Sequence, residues 1–421
     1  MQRGSAELKV CLITEFFYPD STGSSPTLLS NLVRELSASH GVEFDVITSR
    51  SLYRENNIKL AKFEEWEGSH IVRVNTPPSN RMRGPARPLA GLIFAVAALR
   101  AMERRKKAFD VVLVTSNPPA APYAADAFRR RYQIPYVYLI HDLYPDIAVG
   151  LGAIDHGSIP FRLARHYQRK WLQNASVVIL TGRSVRDRVA CEYGIADDRL
   201  AVIPLWADEE ILKAGQTPRR FWNEHAKGRF MAMYFGTIGP LQNVGIVIDA
   251  AKILQDSYHD IVFAIIGTGE KAPEIEKRLR EEQIRNVIFV PKVQSGNIAD
   301  LLASADISLV TVAPGMDLLC TPIKFYNILA SRRPVIATVT ENSEIGQVIS
   351  ETGCGFVVDP YDAAGLADAV VQLASNKALA EQMGENGYKA ACERFLLPKV
   401  AHQYYSVLQS VGNNCLICGQ R

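Results

Sequence analysis

No stretch of about 20 consecutive apolar residues occurs in the 421 residues, so a membrane-spanning helix of ordinary length is excluded. The net charge is only +3, from 47 basic and 44 acidic side chains, and gives no global argument for nucleic acid as a partner. Cysteine is sparse: seven residues, Cys11, Cys191, Cys320, Cys354, Cys392, Cys415 and Cys418, scattered and odd in number, do not make a disulfide framework. Cys415 and Cys418 form a lone C-x-x-C pair without a second pair or nearby histidines, short of the four ligands of a structural zinc. No Asp-x-Asp triplet is present, and neither a metal nor any other cofactor is expected. A basic-then-apolar run is also missing ahead of the first strand-like segment, so the expectation is a reduced, cytoplasmic protein.

What is present is the composition of an ordinary globular protein, 48% hydrophobic and 22% charged, in a chain too long for one core. Short β-branched runs alternate with amphipathic stretches. Residues 8–17, 42–49, 70–77, 111–117, 135–142 and 176–182 read as strands of a first half, and 230–236, 261–269, 286–290, 307–312, 334–339 and 355–359 as those of a second. Between the first two, residues 27–36 set Leu28, Leu29, Leu32, Val33 and Leu36 on one helical face. Nearly continuous strands separated by helices predict parallel sheets covered on both sides, hence an α/β fold of two Rossmann-like doubly wound domains. The expected divisions are 1–205, a polar connection at 206–228, a second domain at 229–395, and a last helix at 396–421 that packs back on the first domain. In open sheets of this kind ligands bind beyond the carboxyl ends of the strands, so a cleft facing both sheets is the first place to look for chemistry.

The loops at those ends carry glycine. Residues 236–245, G-T-I-G-P-L-Q-N-V-G, lead from a strand into a helix, and Gly267 and Gly269 in I-I-G-T-G-E form a second such loop one strand later. Backbone N–H groups in turns of this kind approach a diphosphate closely. In residues 320–339, CTPIKFYNILASRRPVIATV, Pro322 and Lys324 precede a short helix, adding a lysine that suits the same anion. One segment stands apart: residues 89–99 are an uninterrupted apolar run flanked by Arg81, Arg83, Arg87, Arg100, Arg104, Arg105, Lys106 and Lys107. It reads either as a buried helix or as a shallow docking surface for anionic lipid or a lipid-borne acceptor.

The array Y-F-G-T-I-G, I-G-T-G-E, T-P-I-K-F-Y-N-I-L-A-S-R-R-P-V-I-A and G-C-G-F-V-V-D-P-Y-D resembles the donor-binding half of retaining glycosyltransferases of family 4, which have the GT-B fold. E-F-F-Y-P-D-S-T-G-S-S, T-S-N-P-P and H-D-L-Y-P-D in the first half are similar to the subgroup that builds bacterial surface polysaccharides, which includes N-acetylfucosamine transferases. The resemblance implies transfer of an N-acetylhexosamine-type sugar from a nucleoside diphosphate, UDP, to a hydroxyl with retention of configuration. The acceptor would be a sugar, lipid-linked or a small molecule, and nucleic acid would not be a partner. Peripheral contact with the inner face of the membrane is compatible with such an acceptor. Carried over residue by residue, Gly23 and Ser24 would face the donor phosphates, and His141 and Asp142 the reacting sugar. Lys324 would meet the diphosphate and act in catalysis beside them. Gly236, Thr237, Gly239, Gly269, Pro322, Asn327, Glu344 and Ile345 would complete the donor site.

Departures from the family pattern are specific. Leu319 and Asn327 occupy the places of two glutamates, Arg332 that of a glycine, Gln242 and Asn243 that of a basic phosphate ligand, and Leu205 that of an asparagine. Lys324 is left with more of the anion neutralisation. As an exposed loop lysine, it should be replaceable without effect on folding. Two other classes stay open at this point: a non-catalytic regulator or partner subunit of the same fold, and a nucleotide-sugar epimerase.

Overall fold

The computed structural model describes residues 8–20, 24–53, 59–78, 82, 84, 86–105, 109–214, 226, 228–291 and 298–418. The chain forms two units, one of Met1–Thr181, Val185–Ile203 and Pro398–Arg421, the other of Gly182–Ser184 and Pro204–Leu397.

In the first unit the elements run β1 (Lys9–Ile13), α1 (Ser24–His40), β2 (Glu43–Ser49), β3 (Phe63–Trp66), β4 (Ser69–Val74), α2 (Ala86–Arg104), β5 (Val111–Thr115), α3 (Pro122–Tyr132), β6 (Tyr136–Ile140), α4 (Asp146–Gly150), α5 (Ile159–Asn174), β7 (Val177–Leu180), α6 (Arg183–Tyr193) and β8 (Leu200–Val202). Strands such as KVCLI, VVLVT and YVYLI are apolar on both faces because both faces are covered, and β5 and β6 are buried at every position. Their order is β3-β4-β2-β1-β5-β6-β7-β8. The steps from β4 through β5 and β6 to β7 all go one way across the sheet, so right-handed crossovers put α2, α3 and α5 on one face. There α3 packs against both α2 and α5.

Two features depart from the sequence reading. Strand β3 is antiparallel to β4, joined through Glu67 and Gly68 with φ of 51° and 75°. Both turn residues in the left-handed region suit the right-handed twist of a two-residue hairpin. The apolar run 89–99 lies in α2 and is neither wholly buried nor wholly free: Ala90, Gly91, Phe94, Ala95 and Ala98 are buried, whereas Leu89, Leu92 and Ile93 are exposed. Of its basic flanks, Arg81, Arg83, Lys106 and Lys107 lie outside the described residues.

The second unit runs α7 (Glu209–Ala214), β9 (Phe230–Phe235), α8 (Gly245–Leu254), β10 (Ile261–Ile266), α9 (Ala272–Glu281), β11 (Val287–Val290), α10 (Ile298–Ser304), β12 (Ile307–Thr311), α11 (Lys324–Ala330), β13 (Val335–Thr338), α12 (Glu344–Thr352), β14 (Gly355–Val358), α13 (Ala363–Ser375) and α14 (Lys377–Arg394). Helix α15 (Leu397–Cys418) follows, and from Pro398 it belongs to the first unit, where Tyr405 stacks on His40 with centroids 4.3 Å apart. The second sheet is parallel throughout, in the order β11-β10-β9-β12-β13-β14. Residues 215–225 and 227 of the polar connection lie outside the described residues.

Each sheet reverses its winding once, between β1 and β5 in the first and between β9 and β12 in the second. The loops leaving two neighbouring strands there part in opposite directions and leave a crevice. In the second sheet the crevice is made by backbone in close contact. Gly267, at φ 153°, lies so near β9 that a Cβ on it would sit 1.8 Å from the carbonyl oxygen of Gly236, and one on Gly269 would sit 2.2 Å from that of Ile238. Gly267→Ala is therefore expected to cost about 3 kcal/mol or more, seen as an earlier denaturant transition. An unchanged transition would mean that these strand ends are not so tightly apposed.

Candidate active site

At the switch point of the second sheet, the loop after β9 meets the start of α11. The side chain of Lys324 runs back over Gly236: its Nζ donates to Tyr234 Oη at 2.8 Å and stands 4.1 Å from the centre of that ring. A Cβ at Gly236, whose φ is 135°, would come within 2.8 Å of the same nitrogen, so a side chain there would displace the lysine head. Tyr234 Oη in turn donates to the carbonyl oxygen of Thr237 at 2.5 Å. Ile238 N–H donates to Thr268 O at 3.0 Å, tying the two glycine loops together, and Gly239 N–H donates to the side chain of Gln242 at 3.1 Å. Gly236, Thr237, Gly239, Gly269 and Lys324 thus lie together.

Burial among these groups lowers the Lys324 ammonium to about 7. Desolvation disfavours a charge that has no anion beside it. The expectation of an exposed lysine is corrected: Lys324 is partly buried, its Nζ laid against the Tyr234 ring.

The remaining candidates of this unit are held by other contacts. Pro322 stands two residues before α11, beside Thr321. Asn327 Oδ1 accepts from the backbone N–H of Asp208 at 3.0 Å. Glu344 opens α12, which Ser343 caps by accepting from Gly346 N–H at 3.0 Å. Its buried carboxylate accepts from Arg183, from the backbone N–H at 2.7 Å and from Nε at 3.1 Å. Ile345 is buried. Gly182 makes the approach possible, since a Cβ there would lie 2.8 Å from that of Glu344 and 3.0 Å from Thr321 Oγ1. Arg183 also pairs with Glu351, which binds Arg394 at 2.9 Å. Tyr234 and Arg183 escaped sequence reasoning, one as an ordinary strand residue and the other as one arginine among many.

In the first unit, the switch point gathers the ends of β1, β5 and β6. Glu15 N–H donates to Asn117 O at 3.0 Å, and Ser116 Oγ accepts from the backbone N–H groups of His141 and Asp142 at 3.2 and 3.4 Å. His141 and Asp142 are therefore adjacent and fixed by one hydroxyl. Burial lowers the His141 imidazole to about 4 and raises the Asp142 carboxyl to about 6, the latter opposed by Arg87. Ser24 begins α1, while Gly23 lies outside the described residues.

One strand-end site holds a desolvated lysine over glycine loops and the other a neutral histidine beside a high-pKa carboxyl, perturbed groups of the kind that mark functional sites. Residues 216–390 match the family Glycosyl transferases group 1, and residues 23–206 the Glycosyl transferase 4-like domain. The chain is 27% identical over 300 residues to the glycosyltransferase WbjE of Pseudomonas aeruginosa, covering 70% of this chain and 74% of that protein. It is 28% identical over 241 residues to the colanic acid biosynthesis glycosyl transferase WcaI of Escherichia coli (strain K12), covering 55% and 58%. The crystal structure of Anabaena HepE in complex with UDP superposes with a TM-score of 0.70 over 96% of this chain and 100% of that one, at 14% identity. The chain is a glycosyltransferase of GT-B fold that belongs to the group 1 and family 4-like glycosyl transferases.

Proposed function

We propose that the chain moves an N-acetylhexosamine-type sugar from UDP to a hydroxyl of a sugar acceptor, with retention of configuration and without a metal ion. The observation that carries this reading is the Lys324 ammonium, desolvated to about 7 and held over Gly236. Departure of the sugar leaves negative charge on the nucleoside diphosphate. A preorganised lysine and the amides of the glycine loops stabilise that charge where it develops. HepE binds UDP on the same fold, which favours UDP as the carrier. Gly23, Ser24, Pro322, Asn327, Glu344 and Ile345 complete the donor contacts in this reading, and His141 and Asp142 serve the reacting sugar. The departing diphosphate takes the acceptor proton, so no protein nucleophile is needed. Exposed Leu89, Leu92 and Ile93 on α2 favour an acceptor met at the inner face of the membrane.

The test is release of UDP from a panel of UDP-sugars in the presence and absence of acceptor, with the anomeric configuration of the product read by NMR. Turnover is expected to survive excess chelator, because the charge is met by Lys324 and amides and the sequence lacks an Asp-x-Asp. Loss of turnover in chelator, restored by magnesium, contradicts the metal-free part. Donor left intact with every acceptor would indicate a regulator, and conversion of donor to its epimer without acceptor an epimerase.

A further inference from the structure

Helix α5, Ile159–Asn174, is bound to its sheet by Phe161, Gln168 and Leu172. At about 100° per residue these three lie on one side, and Ile159, Leu163 and Tyr167 form a stripe on the opposite one. That stripe faces solvent, with exposures of 79%, 57% and 42%. Beside it run Arg162, His166, Arg169 and Lys170, also exposed, and the helix contains no aspartate or glutamate. Two acidic residues engage the helix away from the stripe: Glu192 of α6 pairs with Arg165 at 3.0 Å and accepts from Arg169 through its backbone carbonyl at 2.9 Å, and Asp126 of α3 accepts from Asn174 at 2.9 Å. Tyr167 stacks on Trp171 with centroids 5.9 Å apart, giving the stripe an amphipathic aromatic end. A helix with its apolar core face satisfied has no folding reason to carry a second apolar stripe bordered by cations.

We propose that α5 is a membrane-docking helix of this glycosyltransferase, its occupant an anionic phospholipid bilayer. Leu163 and Ile159 enter the headgroup boundary, Tyr167 lies at its level, and Arg162 and Lys170 meet lipid phosphates. Charge complementarity selects this occupant over a second copy of the chain, because two copies of a basic stripe would repel each other. Placing α5 on the helical layer that also holds α2 deepens the membrane-acceptor reading and rests on it, while resting on residues that reading does not use.

The experiment is co-sedimentation of the full chain with phosphatidylcholine vesicles, with and without phosphatidylglycerol. Binding to the anionic vesicles at low salt, released as salt rises, is expected, since attraction of this kind is screened over about 8 Å at physiological ionic strength. Arg162→Gln with Lys170→Gln should weaken it roughly 30-fold, from two basic residues each contributing about a factor of 5 near an anionic surface. Leu163→Glu should abolish it. Both variants alter exposed side chains and should keep the melting temperature and its increase with UDP. If these variants bind as the parent does while Leu92→Glu with Ile93→Glu does not, the membrane reading stands and α5 is the wrong helix. If the parent binds neither vesicle at low salt, both fail. A dimer that Leu163→Glu converts to monomer, without vesicle binding, would make the stripe a self-interface and overturn the proposal.

Discussion

Lys324→Met is expected to weaken UDP binding and to stabilise the unliganded fold at the same time. The binding loss follows from removing a charge-assisted contact, roughly 10- to 150-fold in affinity, with turnover slowed by a further factor on the order of 100 if the lysine also meets the leaving group. The stability gain follows from linkage. The lysine has an ordinary value of 10.5 in the unfolded chain and about 7 in the folded one. Between those values the unfolded chain binds the additional proton, so stability is full above 10.5 and is lost as pH falls toward 7. Methionine fills a similar volume and carries no proton. Tyr234 keeps its hydrogen bond to Thr237, so its hydroxyl is not orphaned. A higher melting temperature near pH 7, a difference that vanishes above pH 10.5, and a weakened response to UDP are the expected set. A variant with lower melting temperature and unchanged UDP affinity would put the diphosphate elsewhere.

His141→Ala is expected to lower kcat by about 100-fold or more with donor KM little changed, as for a polar group that acts on the reacting sugar. At about 4 the imidazole is neutral throughout the physiological range and acts as a hydrogen-bonding group, not as a cation. Asp142, at about 6, passes from acid to carboxylate across the working range. If the carboxylate is the competent form, kcat/KM rises through pH 6 and levels off, and Asp142→Asn removes that limb together with most of the rate. The same residue predicts a stability signature. A carboxyl raised by burial contributes stability that is present below about 4 and lost as pH rises through about 6, so Asp142→Asn should melt higher at pH 7. Ser116 binds the backbone at both positions, so neither substitution should displace the loop. Full activity in both variants would remove this pair from the mechanism.

The parallel sheets were legible because strands buried on both faces must be apolar at nearly every position, as VVLVT and YVYLI are. Strand β3 was not, because FEEW at the sheet edge carries two glutamates and pairs through a turn without the usual Asn-Gly signal. Hydropathy alone could not divide α2 or α5 into faces: a buried Phe94 and an exposed Leu92 read alike until a neighbouring helix covers one of them. Glycines at the strand ends were read as turns that approach a diphosphate; Gly267 and Gly269 are also required because their Cα atoms lie against the backbone of the neighbouring loop. The departure at Arg332 has a backbone meaning: its φ of 57° is one that glycine adopts freely, and the arginine is held there above the Tyr388 ring at 3.8 Å. What single-residue reasoning could not reach were properties made by distant pairs. The Nζ of Lys324 meets Tyr234, 90 residues away, and the carboxylate of Glu344 meets Arg183, 161 residues away.

Whether a nucleoside diphosphate binds against the Lys324 ammonium is tested by calorimetric titration of UDP near pH 8 in buffers of different ionisation enthalpy. A lysine at about 7 is mostly neutral there in the free protein and must be protonated to meet the diphosphate. Uptake of about one proton per UDP bound is expected, with affinity falling about tenfold per pH unit above 7. Both effects should disappear in Lys324→Ala. UDP binding that takes up no proton, with the same affinity in parent and variant, would contradict it.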